Sequence, residues 1–391
     1  EKVIQYVYRR YGPHGAAMTA NVITYRTRSA VREVGKVLGL EPLQLDRLAK
    51  LLCQYEYRDD TDDLAVQIRA GGVDPAAPRV RLLTRLVRAM QHIPRHLGQH
   101  SGGMVIAAGR LDEIVPLEPA TMPGRVVIQW DKDDCADLGI IKVDLLGLGM
   151  MAVLEQALPL VAEHDGTTLD LAHLPPDDPK VYSMLQRADT VGVFQVESRA
   201  QMATLPRLKP TCFYDLVVQI AIIRPGPIVG QMVHPYVRRR AGREPVAYTH
   251  TLLEPILRRT LGVPLFQEQL LRIAMTVAGF SGGEAEELRR AMGFKRSVER
   301  MQQIERRLRD GMAARGIIGR TAEDVVRAIT SFALYGFPES HAASFALIAY
   351  ASAYLKAHHP TAFFCAMLNV YPLGFYTPAT LIKDAQRHGV R

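Results

Sequence analysis

Residues 139–151, Gly-Ile-Ile-Lys-Val-Asp-Leu-Leu-Gly-Leu-Gly-Met-Met, place the tightest constraint on the fold. An apolar, β-branched run closed by Gly147 reads as a buried strand, and such a strand has little tolerance for Lys142 and Asp144. Two residues apart in a strand, the two side chains point to one face of the sheet. One reading is a site, with a carboxylate on a metal ion and a cation holding an anion beside it. The other is a salt bridge at a sheet end, where structural ion pairs also occur. The segment alone leaves both open, but either one requires a sheet here.

Little else in the chain reads as sheet. Val3, Ile4, Val7, Tyr8 and Tyr11 recur at helical spacing up to Gly12, and Val31, Val34, Val37 and Leu38 do so from about Arg28 to Gly39. The pattern stays helical from Pro42 to Gln91, interrupted by Asp59, Asp60, Asp62 and Asp63 and by Gly71-Gly72. That acidic cluster lacks the spacing of a calcium loop and reads as a solvated loop or helix start. The period changes from Gly102, and strands are expected over Met104 to Ala108, Val126 to Trp130 and Ile140 to Leu145. Beyond 151 the chain reads as helices punctuated by prolines and glycines. The expected fold is therefore mainly α with a small mixed β-sheet, of the α+β class.

The length of 391 residues allows two or three domains, and 48% hydrophobic with 23% charged residues is a globular composition. The longest uncharged stretch, His341 to Leu355, is too short and too rich in Ala and Ser to span a bilayer. Four scattered cysteines form no CxxC pair, which points away from zinc and disulfides and towards a reducing cytoplasm. The net charge of +8 hints at an anionic partner. Between Leu288 and Arg315, nine basic residues against three acidic ones supply +6 of it.

Ser281-Gly-Gly-Glu284 has the pattern of a capping box, opening a helix that presents Arg289 and Arg290 and runs into Lys295-Arg296. Adjacent arginines can grip phosphate oxygens, or Glu286 can pair with Arg290 on a solvated face. Val298 to Arg315 reads as a helix with an arginine-rich outer face, and Arg238, Arg239, Arg240 and Arg243 form a second basic group. Either could lie along a nucleic-acid backbone or be an ordinary exposed face. Ser340 is the expected N-cap of the most apolar helix, and His341 at its start reads as structural.

Six ordered segments, Ile140-Ile-Lys-Val-Asp-Leu-Leu-Gly-Leu148, Gly192-Val-Phe-Gln-Val-Glu-Ser-Arg199, Ile223-Arg-Pro-Gly-Pro-Ile228, Phe266-Gln-Glu-Gln269, Leu288-Arg-Arg-Ala-Met-Gly293 and Tyr335-Gly-Phe-Pro-Glu-Ser-His341, resemble the alpha subunit of bacterial DNA polymerase III. The tail from Tyr371 to Thr380, with Gln201 to Leu208, looks more like the error-prone, damage-associated branch than the main replicase. The resemblance implies palm at 1–27 and 101–150, thumb at 28–100 and fingers at 151–391. It implies a DNA-directed DNA polymerase acting on primer-template DNA and dNTP with two Mg2+ ions. Asp144 would be a catalytic metal ligand, and Lys142, Arg289 and Arg290 would contact the nucleotide triphosphate. Arg238, Arg239, Arg240, Lys295 and Arg296 are the candidate DNA contacts. A sliding clamp and other replication or mutagenesis proteins would bind outside these residues.

The family also carries two aspartates in a D-x-D strand upstream of the opening helix, and these are not among residues 1–391. A lone Asp144 cannot hold two magnesium ions in catalytic geometry. The expectation is that this polypeptide does not polymerise DNA although its parent would. The rival reading is a non-catalytic DNA-binding module.

Overall fold

The computed structural model describes residues 2–53, 68–69, 71–223, 229–293, 298–333 and 337–391. The acidic cluster at 59–63, the motif segment 224–228, Lys295, Arg296 and Tyr335 lie outside them. The chain forms two compact units, Glu1–Gly147 and Leu148–Arg391.

The first unit is built on a five-stranded sheet of order β3-β4-β1-β2-β5, with β1 Ala16–Thr24, β2 Pro94–Ile106, β3 Leu117–Pro119, β4 Val126–Ile128 and β5 Lys142–Asp144. β1 runs parallel to β4, and the other pairings are antiparallel, so the sheet is mixed as expected. Period-two alternation sorts its residues. Ala16, Met18, Ala20, Met104 and Val127 pack with Ile4 and Val7 of the opening helix Lys2–Gly15. Ala17, Val105 and Ile128 pack on the other face with Leu111, Val115 and Cys135. Gly12 breaks the opening helix with φ of 71°, a value glycine adopts without a Cβ penalty.

Between β1 and β2 the chain leaves the sheet for the helices Thr27–Val37, Pro42–Cys53 and Pro78–Met90, whose core includes Val31, Leu48, Leu83 and Val87. The side of Pro78–Met90 away from that core carries Arg81, Arg85 and Arg88, all exposed, and the helix contains no acidic residue. Spacing of four and then three residues puts the three on one stripe.

Several expectations need correcting. β1 and β3 do not follow from the sequence pattern, and β2 begins ten residues before Met104, so the boundary drawn at 100/101 falls inside a strand. β5 is only Lys142–Asp144, an edge strand with Val143 40% exposed and the preceding Ile141 79% exposed, where the pattern implies a buried strand. Its apolar residues are paired on one side only, and Ile140 is still tied by its N–H to Cys135 O in the turn leaving the helix Lys132–Asp137.

The named elements of the second unit are all helices, as the pattern beyond 151 predicts. The 20-residue helix Glu339–His358 runs through its largest core, burying Ala342, Ala346, Ala349 and Ala353 against the helices Pro179–Gln186 and Phe213–Ile222. It starts at Glu339, so Ser340 is not its N-cap; its first N–H is taken by the Glu268 carboxylate at 2.9 Å. A separate core joins Gln267–Ala278, Gly282–Gly293, Val298–Ala313 and Gly319–Ala333 through Leu270, Leu288, Leu308 and Val325.

Candidate functional site

In the first unit the site forms where β2 meets β5. Met18 faces Met104 and Ala20 faces Gln99, so Thr19 alone stands opposite His100, Ser101, Gly102 and Gly103. This is a large bulge in β2. Gly103 pairs with Asp144 and Val105 with Lys142, which puts both charged side chains on one face, as their spacing predicts. Lys142 Nζ lies 3.7 Å from Asp144 Oδ2, a loose ion pair.

The Asp144 carboxylate is half-exposed, and its Oδ1 accepts the Leu146 N–H at 2.9 Å. That hydrogen bond, and then the charge of Lys142, hold its carboxyl below the ordinary carboxylate range. It is therefore ionised at neutral pH, with Oδ2 beside the Lys142 ammonium. Gly102 and Gly103 leave the necessary room. A Cβ on Gly102 would stand 2.6 Å from Leu146 N and 2.8 Å from Asp144 Oδ1, and one on Gly103 would stand 2.6 Å from Thr19 Oγ1 and 3.0 Å from Lys142 Cδ. Both approaches are shorter than carbon contacts permit.

Arg289 and Arg290 belong to the second unit, on the helix Gly282–Gly293. Its capping box forms as the sequence predicts, Ser281 N donating to Glu284 Oε2 at 2.7 Å. Both guanidinia turn to Glu286, Arg289 through a fork at 2.6 and 2.9 Å and Arg290 at 3.4 Å. The Arg289 fork, above all, drives the Glu286 carboxyl down to about 2. The two arginines are thus presented together, at the edge of solvent, on a shared counter-ion.

The basic group at 238–240 serves the fold. Arg240 forms a bidentate pair with the buried Asp215 and reaches Leu208 O at 3.1 Å. Arg239 donates to Glu244 at 2.9 Å and to Leu261 O at 2.7 Å, and only Arg238, paired with Glu244 at 2.8 Å, keeps a largely exposed side chain. His341 lies between Phe337 and Phe345, ring centroids 5.2 and 4.1 Å away, which accords with a structural role.

Sequence reading missed three features here: the Gly102-Gly103 pair, His100 and the Arg81-Arg85-Arg88 stripe. A glycine pair inside a strand pattern is a signal of a bulge or close approach. The stripe was visible as an i, i+4, i+7 repeat without acids. Nothing in the sequence marks His100.

Two family descriptions match the chain: "Bacterial DNA polymerase III alpha NTPase domain" over residues 1–147 and "Bacterial DNA polymerase III alpha subunit finger domain" over residues 150–316. They meet where the structure divides. Relatives named error-prone DNA polymerase align with the whole chain, at 56% identity in Anaeromyxobacter dehalogenans, 55% in Methylococcus capsulatus and 54% in Mycobacterium bovis. The chain belongs to the bacterial DNA polymerase III alpha family. It spans about a third of the length of these curated relatives, 35%, 37% and 35% respectively. The DNA polymerase III alpha motifs quoted above fall in both units, with Lys142 and Asp144 in the first and Arg289 and Arg290 in the second.

Such a family implies a divalent metal, and the structure tests the fit. Asp144 fits as one ligand, being an ionised, accessible oxygen donor of the kind a hard cation takes. Among the described residues a potential three-ligand cluster occurs at Asp189, Asp384 and His388. That position is already filled, since the Lys356 ammonium sits 3.1 Å from Asp189 and 2.8 Å from Asp384.

Proposed function

We propose that the whole protein is a template-directed DNA polymerase of the error-prone type, acting on primer-template DNA and dNTP in repair and damage-induced mutagenesis, in the cytoplasm. The sheet of the first unit is its palm, the helices between β1 and β2 its thumb, and the second unit its fingers. The observation that carries this reading is Asp144, an ionised carboxylate at the end of an edge strand, with Lys142 on the same face and two glycines cleared to admit it.

When bound, magnesium ions would activate the primer 3′-hydroxyl and neutralise the phosphates and leaving pyrophosphate. Asp144 would hold an ion through Oδ2. Lys142 would place its ammonium against a phosphate oxygen, and Arg289 and Arg290 would exchange Glu286 for the triphosphate through several N–H donors at once. The stripe Arg81, Arg85 and Arg88 would follow the duplex backbone. Arg239 and Arg240 are committed elsewhere, so of that group Arg238 alone remains a DNA contact in this reading.

Asp144→Asn in the full-length protein should lower nucleotide incorporation by at least about a thousandfold, because the neutral amide is a poor magnesium ligand. DNA affinity, read by anisotropy of a labelled primer-template, should stay within about twofold, since every cation facing the backbone phosphates is kept. Incorporation persisting in this variant sinks the assignment.

A further inference from the structure

The bulge that seats Asp144 raises a question of hydrogen-bond accounting. Four residues of β2 stand opposite Thr19, so the N–H groups of Gly102 and Gly103 are taken out of the ladder with β1. Both are taken by one atom. His100 Nδ1 lies 2.6 Å from Gly103 N and 3.1 Å from Gly102 N. Two backbone donors leave Nδ1 only the acceptor role. The carbonyls are held as well, Gly103 O by Thr19 Oγ1 at 3.2 Å and Gly102 O by Leu145 N at 2.7 Å. The Gly102 bond reaches directly into the segment that carries Asp144.

We propose that His100 is a positioning residue for Asp144. Its imidazole folds the Gly102-Gly103 turn into the one shape against which β5 can lay the carboxylate. Gly103 is the register partner of Asp144, and Gly102 faces both Asp144 Oδ1 and the Leu146 N–H that holds it. A shift of this turn therefore moves the carboxylate with it. The inference rests on the reading of Asp144 as a metal ligand, and the test separates the two.

His100→Ala removes the acceptor, whereas His100→Asn keeps one, because Asn Oδ1 occupies nearly the position of His Nδ1 and accepts N–H groups two and three residues ahead in Asx turns. Two readouts on residues 1–391 serve: hydrogen exchange of the Gly102 and Gly103 amides, and broadening of the Gly103 and Leu146 amide signals by Mn2+ used as a paramagnetic probe. His100→Ala should speed exchange at both glycines about tenfold, the value of one missing hydrogen bond, and weaken the Mn2+ effect severalfold. His100→Asn should keep both within about threefold of wild type, a rescue that removal of ring packing alone would not give. Wild-type exchange and broadening in His100→Ala overturn the proposal. So does failure of a folded His100→Asn to retain protection, which keeps the test decisive if the alanine variant does not fold. Asp144→Asn should abolish the broadening; if it does not, the metal reading of Asp144 fails while the hydrogen-bonding role of His100 is judged by exchange alone.

Discussion

Single side chains show where charge in this fold is a cost. Glu197 sits in the Gly192 to Arg199 motif, its Oε2 accepting the Gly192 N–H at 3.0 Å, and burial pushes its carboxyl up from 4.5 to about 6. Below pH 4.5 the group is protonated whether the chain is folded or not. Between 4.5 and 6 the unfolded chain gives up this proton while the folded one keeps it, so stability falls as pH rises through that window and levels off above it. The drop should be on the order of 1–2 kcal/mol. In Glu197→Gln that portion of the slope should disappear, as read by denaturant unfolding at several pH values; parallel curves for the two proteins count against it. Sequence reading fared unevenly at this scale. Lys142 and Asp144 were legible because charge inside an apolar run is anomalous. The inward pairing of Arg240 was not legible, because its partner Asp215 lies 25 residues away on another helix and no local pattern distinguishes an arginine that pairs inward from one that faces solvent.

At the scale of elements, Lys356 acts as a bolt. It is fully buried on the helix Glu339–His358, and its ammonium ties Val191 O at 3.0 Å and Asp189 at 3.1 Å, in the loop following Pro179–Gln186, to Asp384 at 2.8 Å on the helix Pro378–Arg387. Burial works against ionisation of Asp189, but Lys356 and His388 outweigh it and keep the carboxyl below its ordinary range. Lys356→Met would leave the buried Asp384 carboxylate without its ammonium and Asp189 with His388 alone, so the second unit should lose about 3–5 kcal/mol. Adding Asp189→Asn and Asp384→Asn should restore much of that stability, because the polar groups left behind no longer carry charge. A thermal melt unchanged in the single variant would show that the cluster is not under such tension. The helices themselves were legible, since their caps and apolar periods are local; Ser281-Gly-Gly-Glu284 closes as a capping box at the predicted place. β1 was not. Its first half, from Ala16 to Ala20, is buried on both faces and therefore shows no alternation, and its alanines carry weak strand preference. The first half of β2, with Pro94, Arg95 and His96 exposed, offers no apolar stripe either.

For the molecule as a whole, the net charge of +8 is informative only once its distribution is known. Much of the basic run at 288–315 is neutralised in place, by Glu286 on Arg289 and Arg290, by Glu284 and Glu287 on Arg307 and by Glu305 on Arg309. The helix Pro78–Met90 carries no acid of its own, and its exposed stripe of Arg81, Arg85 and Arg88 stands opposite a core of Val80, Leu83 and Val87. Replacing the three with glutamine leaves that core untouched, so the fold should persist. If the stripe tracks a duplex backbone, the slope of log affinity against log salt should become shallower by about 2 to 3, near 0.9 for each phosphate that is no longer neutralised. The weakening should be similar for duplexes of unrelated sequence, since phosphates carry no base information. Anisotropy titrations of residues 1–391 with a labelled duplex at several salt concentrations give the slope directly. An unchanged slope would move the DNA-binding surface off this helix, and weakening confined to one sequence would mean that the arginines read bases and not backbone.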